Sequence, residues 1–82
     1  MDREELTARV TEIFRNNFDD DEIVLTDDTT AADIEDWDSL EQINLLVAME
    51  REFGIKFSVG EVEGLRNVGE MLDLIGNKLA GK

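Results

Sequence analysis

The stretch WDSLEQINLLVAMEREFGIKF, residues 37–57, decides the fold. Asp38 with Glu41, or Ser39 with Gln42, forms a capping-box pattern, so a helix start is marked twice, at Asp38 or at Ser39. On a wheel of about 100° per residue, Leu40, Ile43, Leu45, Leu46, Val47, Met49 and Phe53 share one wide arc. That arc is expected to be core. Glu41, Asn44, Ala48, Arg51 and Glu52 lie opposite, open to a partner, while Gln42 and Glu50 interrupt the apolar arc. Gly54 closes the helix near Phe53 as a C-terminal cap, and Ile55-Lys56-Phe57 follows as a short extended connector with two apolar anchors.

Upstream, residues 2 to about 17 form a first helix. Asp2 with Glu5 caps it, Leu6, Val10, Ile13 and Phe14 give one core face, and Asn16-Asn17 supplies a stop. The segment from Phe18 to Asp38 is polar and acidic, and is expected to be an ordered loop pinned by Phe18, Ile23, Leu25 and Ile34, with a helical turn near Thr30 to Ile34. Downstream, Ser58 with Glu61 caps a short third helix carrying Val62 and Leu65, which Gly64 keeps brief. Asn67 with Glu70 caps a last helix, whose stripe is Val68, Met71, Leu72, Ile75 and Leu79; Gly76 weakens it by about 1 kcal/mol relative to alanine. The expected fold is all-α: a small four-helix bundle of three longer helices and one short one, forming a single domain over residues 1–82.

Composition then excludes whole classes of function. The 82 residues contain no cysteine and no histidine, so the chain has no thiolate nucleophile, no zinc-thiolate site and no Ser-His or Cys-His machinery. A catalytic role is not expected, and any thiol chemistry must come from an added group. A formal net charge of −13 argues against nucleic acid and anionic membrane surfaces and for basic protein partners. Between Arg15 and Arg51 there is no Lys or Arg, while Asp19, Asp20, Asp21, Glu22, Asp27, Asp28, Asp33, Glu35, Asp36, Asp38, Glu41 and Glu50 surround Ser39. An EF-hand is set aside because no glycine lies before Gly54 to make the loop's turn; no dedicated metal site is expected. No apolar run approaches a membrane span, and the charged start MDREELTARV is unlike a signal peptide, so a cytoplasmic, soluble monomer is expected.

Asp38-Ser39-Leu40 at a helix start midway along an acidic chain, then Leu46, Met49, Glu50 and Phe53, a small apolar anchor and a final apolar helix, resembles the acyl carrier protein family. The resemblance implies that Ser39 is esterified with a 4′-phosphopantetheine arm by a separate phosphopantetheinyl transferase, which would supply the base and the metal. The arm's thiol would hold acyl groups as thioesters for acyl-transfer and synthase enzymes with basic docking surfaces. The start at Met1 and the end at Lys82 fit a discrete, stand-alone carrier.

The resemblance also assigns roles to the neighbours of Ser39. Asp38 contributes to transferase recognition, Leu40 reaches a partner pocket or else packs in the core, and Glu41 and Glu50 match acidic positions offered to partners. Asn44 and Arg51 depart from that acidic pattern. Trp37 replaces a small residue, which resembles carriers of polyketide, aminoacyl, D-alanyl or peptidyl groups; it is a partner contact or a packing residue of the loop. The acyl chain would fold back among Ile43, Leu46, Val47, Phe57, Val62, Leu65 and Met71, all of which also read as plain core. Ser58, the second serine, reads as a cap only. The rival reading of the whole chain is an acidic helical interaction domain without a prosthetic group, in which Ser39 is itself no more than a cap.

Overall fold

A computed structural model describes residues 2–34 and 37–81, which form four α-helices and one short 3-10 turn, with no strand among the described residues. Glu35 and Asp36, two of the acids counted around Ser39, lie outside the described residues, as do Met1 and Lys82. The helices are α1 (Arg3–Phe18), α2 (Ser39–Phe53), α3 (Val59–Glu63) and α4 (Val68–Ala80), and the 3-10 turn is Ala31–Asp33. The all-α, three-plus-one arrangement expected from the helical periodicities is the one observed.

Each helix start is held by the side chain the sequence nominates. Asp2 accepts from the Glu5 N–H at 2.8 Å, Asp38 from Glu41 N–H at 2.9 Å and Asn67 from Glu70 N–H at 2.9 Å, each satisfying one otherwise orphaned donor of a first turn. At α3 the capping box is reciprocal, with Glu61 accepting from Ser58 N–H and Ser58 accepting from Glu61 N–H. Gly54 ends α2 at φ 65°, a left-handed conformation that glycine adopts without a Cβ clash. α1 runs one residue past the expected stop. Phe18 tilts against Phe14 with ring centroids 6.1 Å apart, and Asp19 takes the left-handed conformation at φ 52°. Aspartate is among the few residues that tolerate that conformation, so the break falls at Asp19 rather than at the asparagines.

The core is a layer between α1, α2 and α4, since α1 packs on both partners. Leu6, Val10 and Phe14 meet Leu45, Met49 and Phe53, and Val68, Met71, Leu72 and Ile75, all buried. Ile55 closes one end. Within the described part of the segment before α2, residues 19–34 form an ordered loop, with Ile23 and Leu25 buried and Phe18 and Ile34 packed at the core's edge. Its attachment to α4 was not foreseen from the sequence. Val68 N–H donates to Thr29 O at 2.8 Å and Gly69 N–H to Asp27 O at 2.9 Å, so the loop's carbonyls satisfy the first turn of α4. Gly69 permits the approach, because a Cβ there would lie 2.9 Å from both the Cβ and the carbonyl oxygen of Asp27. Arg3 fastens the same junction, donating to Asp73, Asp27 and the Gly69 carbonyl.

The wide apolar arc of α2 requires correction. Leu45, Leu46, Met49 and Phe53 are buried, but Leu40, Ile43 and Val47 are 65%, 58% and 43% exposed. α1 covers only one flank of the arc, and α3, at five residues, is too short to cover the other. Leu65, expected on α3, lies beyond its end as a partly buried residue packed on the core.

Candidate functional site

Ser39 is the first residue of α2, and its side chain is exposed. Of the two caps the sequence offers, the structure uses Asp38. Asp38 is extended (φ −119°, ψ −172°), its Oδ1 accepts from Glu41 N–H, and its carbonyl accepts from Gln42 N–H at 2.9 Å. The Ser39–Gln42 box does not form. Gln42 Oε1 accepts instead from Trp37 Nε1–H at 2.7 Å, and the Ser39 hydroxyl makes no hydrogen bond among the described residues. Capping therefore leaves the hydroxyl of Ser39 unused.

Trp37 explains one of the interruptions in the apolar arc. Its indole meets Phe14 edge-on at 5.1 Å between centroids while its N–H reaches Gln42, so the half-buried ring ties α1, the loop and the first turn of α2 together. This is the packing alternative of the two roles considered for Trp37. Glu50 explains the other interruption: half-buried, its Oε2 accepts from Phe57 N–H at 2.8 Å and fastens the connector to α2. Glu41, also half-buried, accepts from Asn17 Nδ2 at 2.9 Å and Asn44 Nδ2 at 3.1 Å. Leu40 points to solvent rather than into the core. Neither tie could be read from periodicity, which marks Gln42 and Glu50 only as misplaced polar residues.

The uncovered flank of α2 opens on a groove of about 790 Å³ between α2, the connector and α3. All seven residues named above for an acyl cavity line it: Ile43, Leu46, Val47, Phe57, Val62, Leu65 and Met71. Trp37, Asp38 and Ser39 line it too, so an accessible hydroxyl and an apolar recess share one opening. Ser58 also borders the groove, but its hydroxyl is the acceptor in the α3 box.

Comparison with known proteins gives this geometry its context. Residues 5–75 match the family model described as a phosphopantetheine attachment site. The chain belongs to the acyl carrier protein family. It is 35% identical over 79 residues to the acyl carrier protein of Petrotoga mobilis, covering 96% of this chain and 93% of that one. To the acyl carrier protein of Thermosynechococcus vestitus it is 35% identical over 81 residues, covering 98% and 99%. The solution structure of holo acyl carrier protein from Geobacter metallireducens superposes with a TM-score of 0.88 at 50% identity, covering 93% of this chain and 87% of that one. A domain of this family binds 4′-phosphopantetheine, and the residues present suit such a group. They provide a serine hydroxyl free of capping duty, at a helix N-terminus where an anion is favoured, beside an apolar groove. The group supplies a thiol that a chain without cysteine lacks.

Proposed function

We propose that Ser39 is the attachment point of 4′-phosphopantetheine and that the chain carries acyl groups, as thioesters on that arm, between biosynthetic enzymes. The observation that carries the assignment is the division of labour at the start of α2. Asp38 caps the helix, Trp37 occupies Gln42, and Ser39 keeps an exposed hydroxyl on the groove with no hydrogen-bond partner among the described residues. Ser58 offers no such hydroxyl, being committed to its own capping box.

This chain's part in loading is to present the Ser39 oxygen, with Asp38 marking the site for a phosphopantetheinyl transferase that brings the base and the metal. Its part in delivery is the exposed face Leu40, Ile43 and Val47 with Glu41 close by, an apolar strip beside a carboxylate suited to enzymes with basic docking surfaces. Glu50 belongs to the partner surface only in so far as its tie to Phe57 leaves charge at the groove rim. The domain acts as one monomeric unit over residues 1–82, carries rather than catalyses, and works in the cytoplasm. Among the described residues no helix is long and apolar enough to cross a membrane. The packing of Trp37 on Phe14 gives that residue a structural reason, so it does not by itself favour an aminoacyl, D-alanyl or peptidyl cargo.

Tryptic mapping of the loaded protein tests the assignment. Ser39 lies in the fragment between Arg15 and Arg51 and Ser58 in that between Lys56 and Arg66. The added mass is expected on the first, localised to Ser39 by fragmentation. Its appearance on the second would transfer the role to Ser58.

A further inference from the structure

An anion esterified to Ser39 would stand beside the Asp38 carboxylate, in a chain with a net charge of −13. Such a site calls for a compensating cation. Among the described residues lining the groove there are three carboxylates, Asp38, Glu50 and Glu63, and one cation, Arg66.

Arg66 lines the same groove as Ser39 and adjoins the junction that ties α4 to the loop before α2. Arg66 immediately precedes Asn67, the cap of α4, and the first N–H groups of α4 bond back to Thr29 and Asp27. Ala31, two residues beyond Thr29, lines the groove together with Trp37, Asp38 and Ser39. Glu50, tied to Phe57, lies farther from Ser39, about 16 Å along α2 at ~1.5 Å per residue.

Arg66 is also held ready for a partner. Its N–H donates to Glu70 Oε1 at 3.3 Å, which fixes the backbone, while the residue is exposed and its guanidinium makes no ion pair among the described residues. Arg3 is engaged with Asp27 and Asp73, Arg9 with Glu5 and Glu52, Lys78 with Glu61 and Arg15 with the Ile23 carbonyl, while Arg51 and Lys56, which make no ion pair among the described residues, do not line the groove. A guanidinium matches two phosphate oxygens with a planar fork of donors, which an ammonium does not.

We propose that Arg66 is the cation that receives the phosphodiester of an arm on Ser39, fixing the root of the arm at the groove mouth. The inference rests on Ser39 being the attachment point. Arg66 acts on the bound group's position; it takes no part in acyl transfer.

The test uses 15N-labelled protein whose conversion to the holo form has first been verified by intact mass, so that failed attachment is separated from failure of this inference. The arginine Nε–Hε resonances are compared between apo and holo protein. The Arg66 resonance is expected to shift, that of Arg51 in the last turn of α2 to stay, and the Arg66 shift to shrink as sodium chloride is added. The 31P resonance of the holo protein is expected to move in Arg66→Gln and to return part of the way in Arg66→Lys. The Arg66 resonance is read on the unsubstituted protein, so it does not depend on a variant folding. An Arg66 Nε–Hε unchanged between apo and holo protein overturns the proposal, as does a 31P resonance identical in Arg66→Gln.

Discussion

At the scale of the residue, function depends on which of two neighbours does the capping. Because Asp38 accepts the Glu41 N–H and Ser39 accepts nothing among the described residues, their alanine variants should part company. Asp38→Ala is expected to cost about 1 kcal/mol, the usual loss for an N-cap, whereas Ser39→Ala should stay within about 0.5 kcal/mol of the parent. Urea unfolding of the two variants measures both; equal losses would mean that Ser39 shares the cap and is not held free. The sequence marks both residues as caps and cannot choose between them. The choice is made by Trp37, whose indole N–H takes the glutamine that a Ser39 box would need.

At the scale of the element, α2 is a helix with two apolar flanks, of which one is packed into the core and the other lines the groove. Leu45 faces α1 with no exposed surface, while Ile43 faces the groove and is 58% exposed. Leu45→Ala should therefore cost about 2–5 kcal/mol and Ile43→Ala no more than about 0.5 kcal/mol, although periodicity makes the two look equivalent. Chemical unfolding of the pair would contradict this account if Ile43 proved as costly as Leu45. The start of α3 makes a pH prediction. The hydrogen bond from Lys78, at 2.9 Å, followed by that from Ser58 N–H, holds the Glu61 carboxyl below its ordinary value. A carboxylate with a depressed folded pKa stabilises the fold above its unfolded pKa, and that contribution is lost as pH falls from the ordinary glutamate value through the depressed one. Lys78→Met should move the Glu61 midpoint upward, read from its carboxyl 13C resonance. A midpoint that stays in place would mean that Lys78 does not reach Glu61 in solution. With both groups still partly open to solvent, the loss of stability should be small.

At the scale of the whole molecule, charge opposes packing. The acids between Arg15 and Arg51 have no basic residue among them in sequence, and the ion pairs of Arg3 and Arg9 are largely exposed and contribute little. Screening should relieve more repulsion than it removes attraction. Adding sodium chloride to ~0.5 M is expected to stabilise the fold by on the order of 1 kcal/mol, raising Tm by about 4–8 °C; a falling Tm would show that the ion pairs dominate. Much of this molecule was legible in the sequence, because helix starts and single-sided stripes are local signals. The stripe of α4, the cap at Asn67 and the box at Ser58 define their elements without tertiary help. What was not legible depends on distant residues meeting. Arg3 joins Asp27 and Asp73, Gly69 admits the Asp27 carbonyl, and α3 is too short to cover Ile43 and Val47. The last of these turns an expected core flank into the wall of the candidate site. The most direct test of the central claim is the intact mass of the folded chain after incubation with coenzyme A, magnesium and a broad-specificity phosphopantetheinyl transferase. A gain of a single phosphopantetheinyl group is expected, absent in Ser39→Ala and retained in Ser58→Ala. No gain with several transferases, or an undiminished gain in Ser39→Ala, would contradict the assignment of the arm to Ser39.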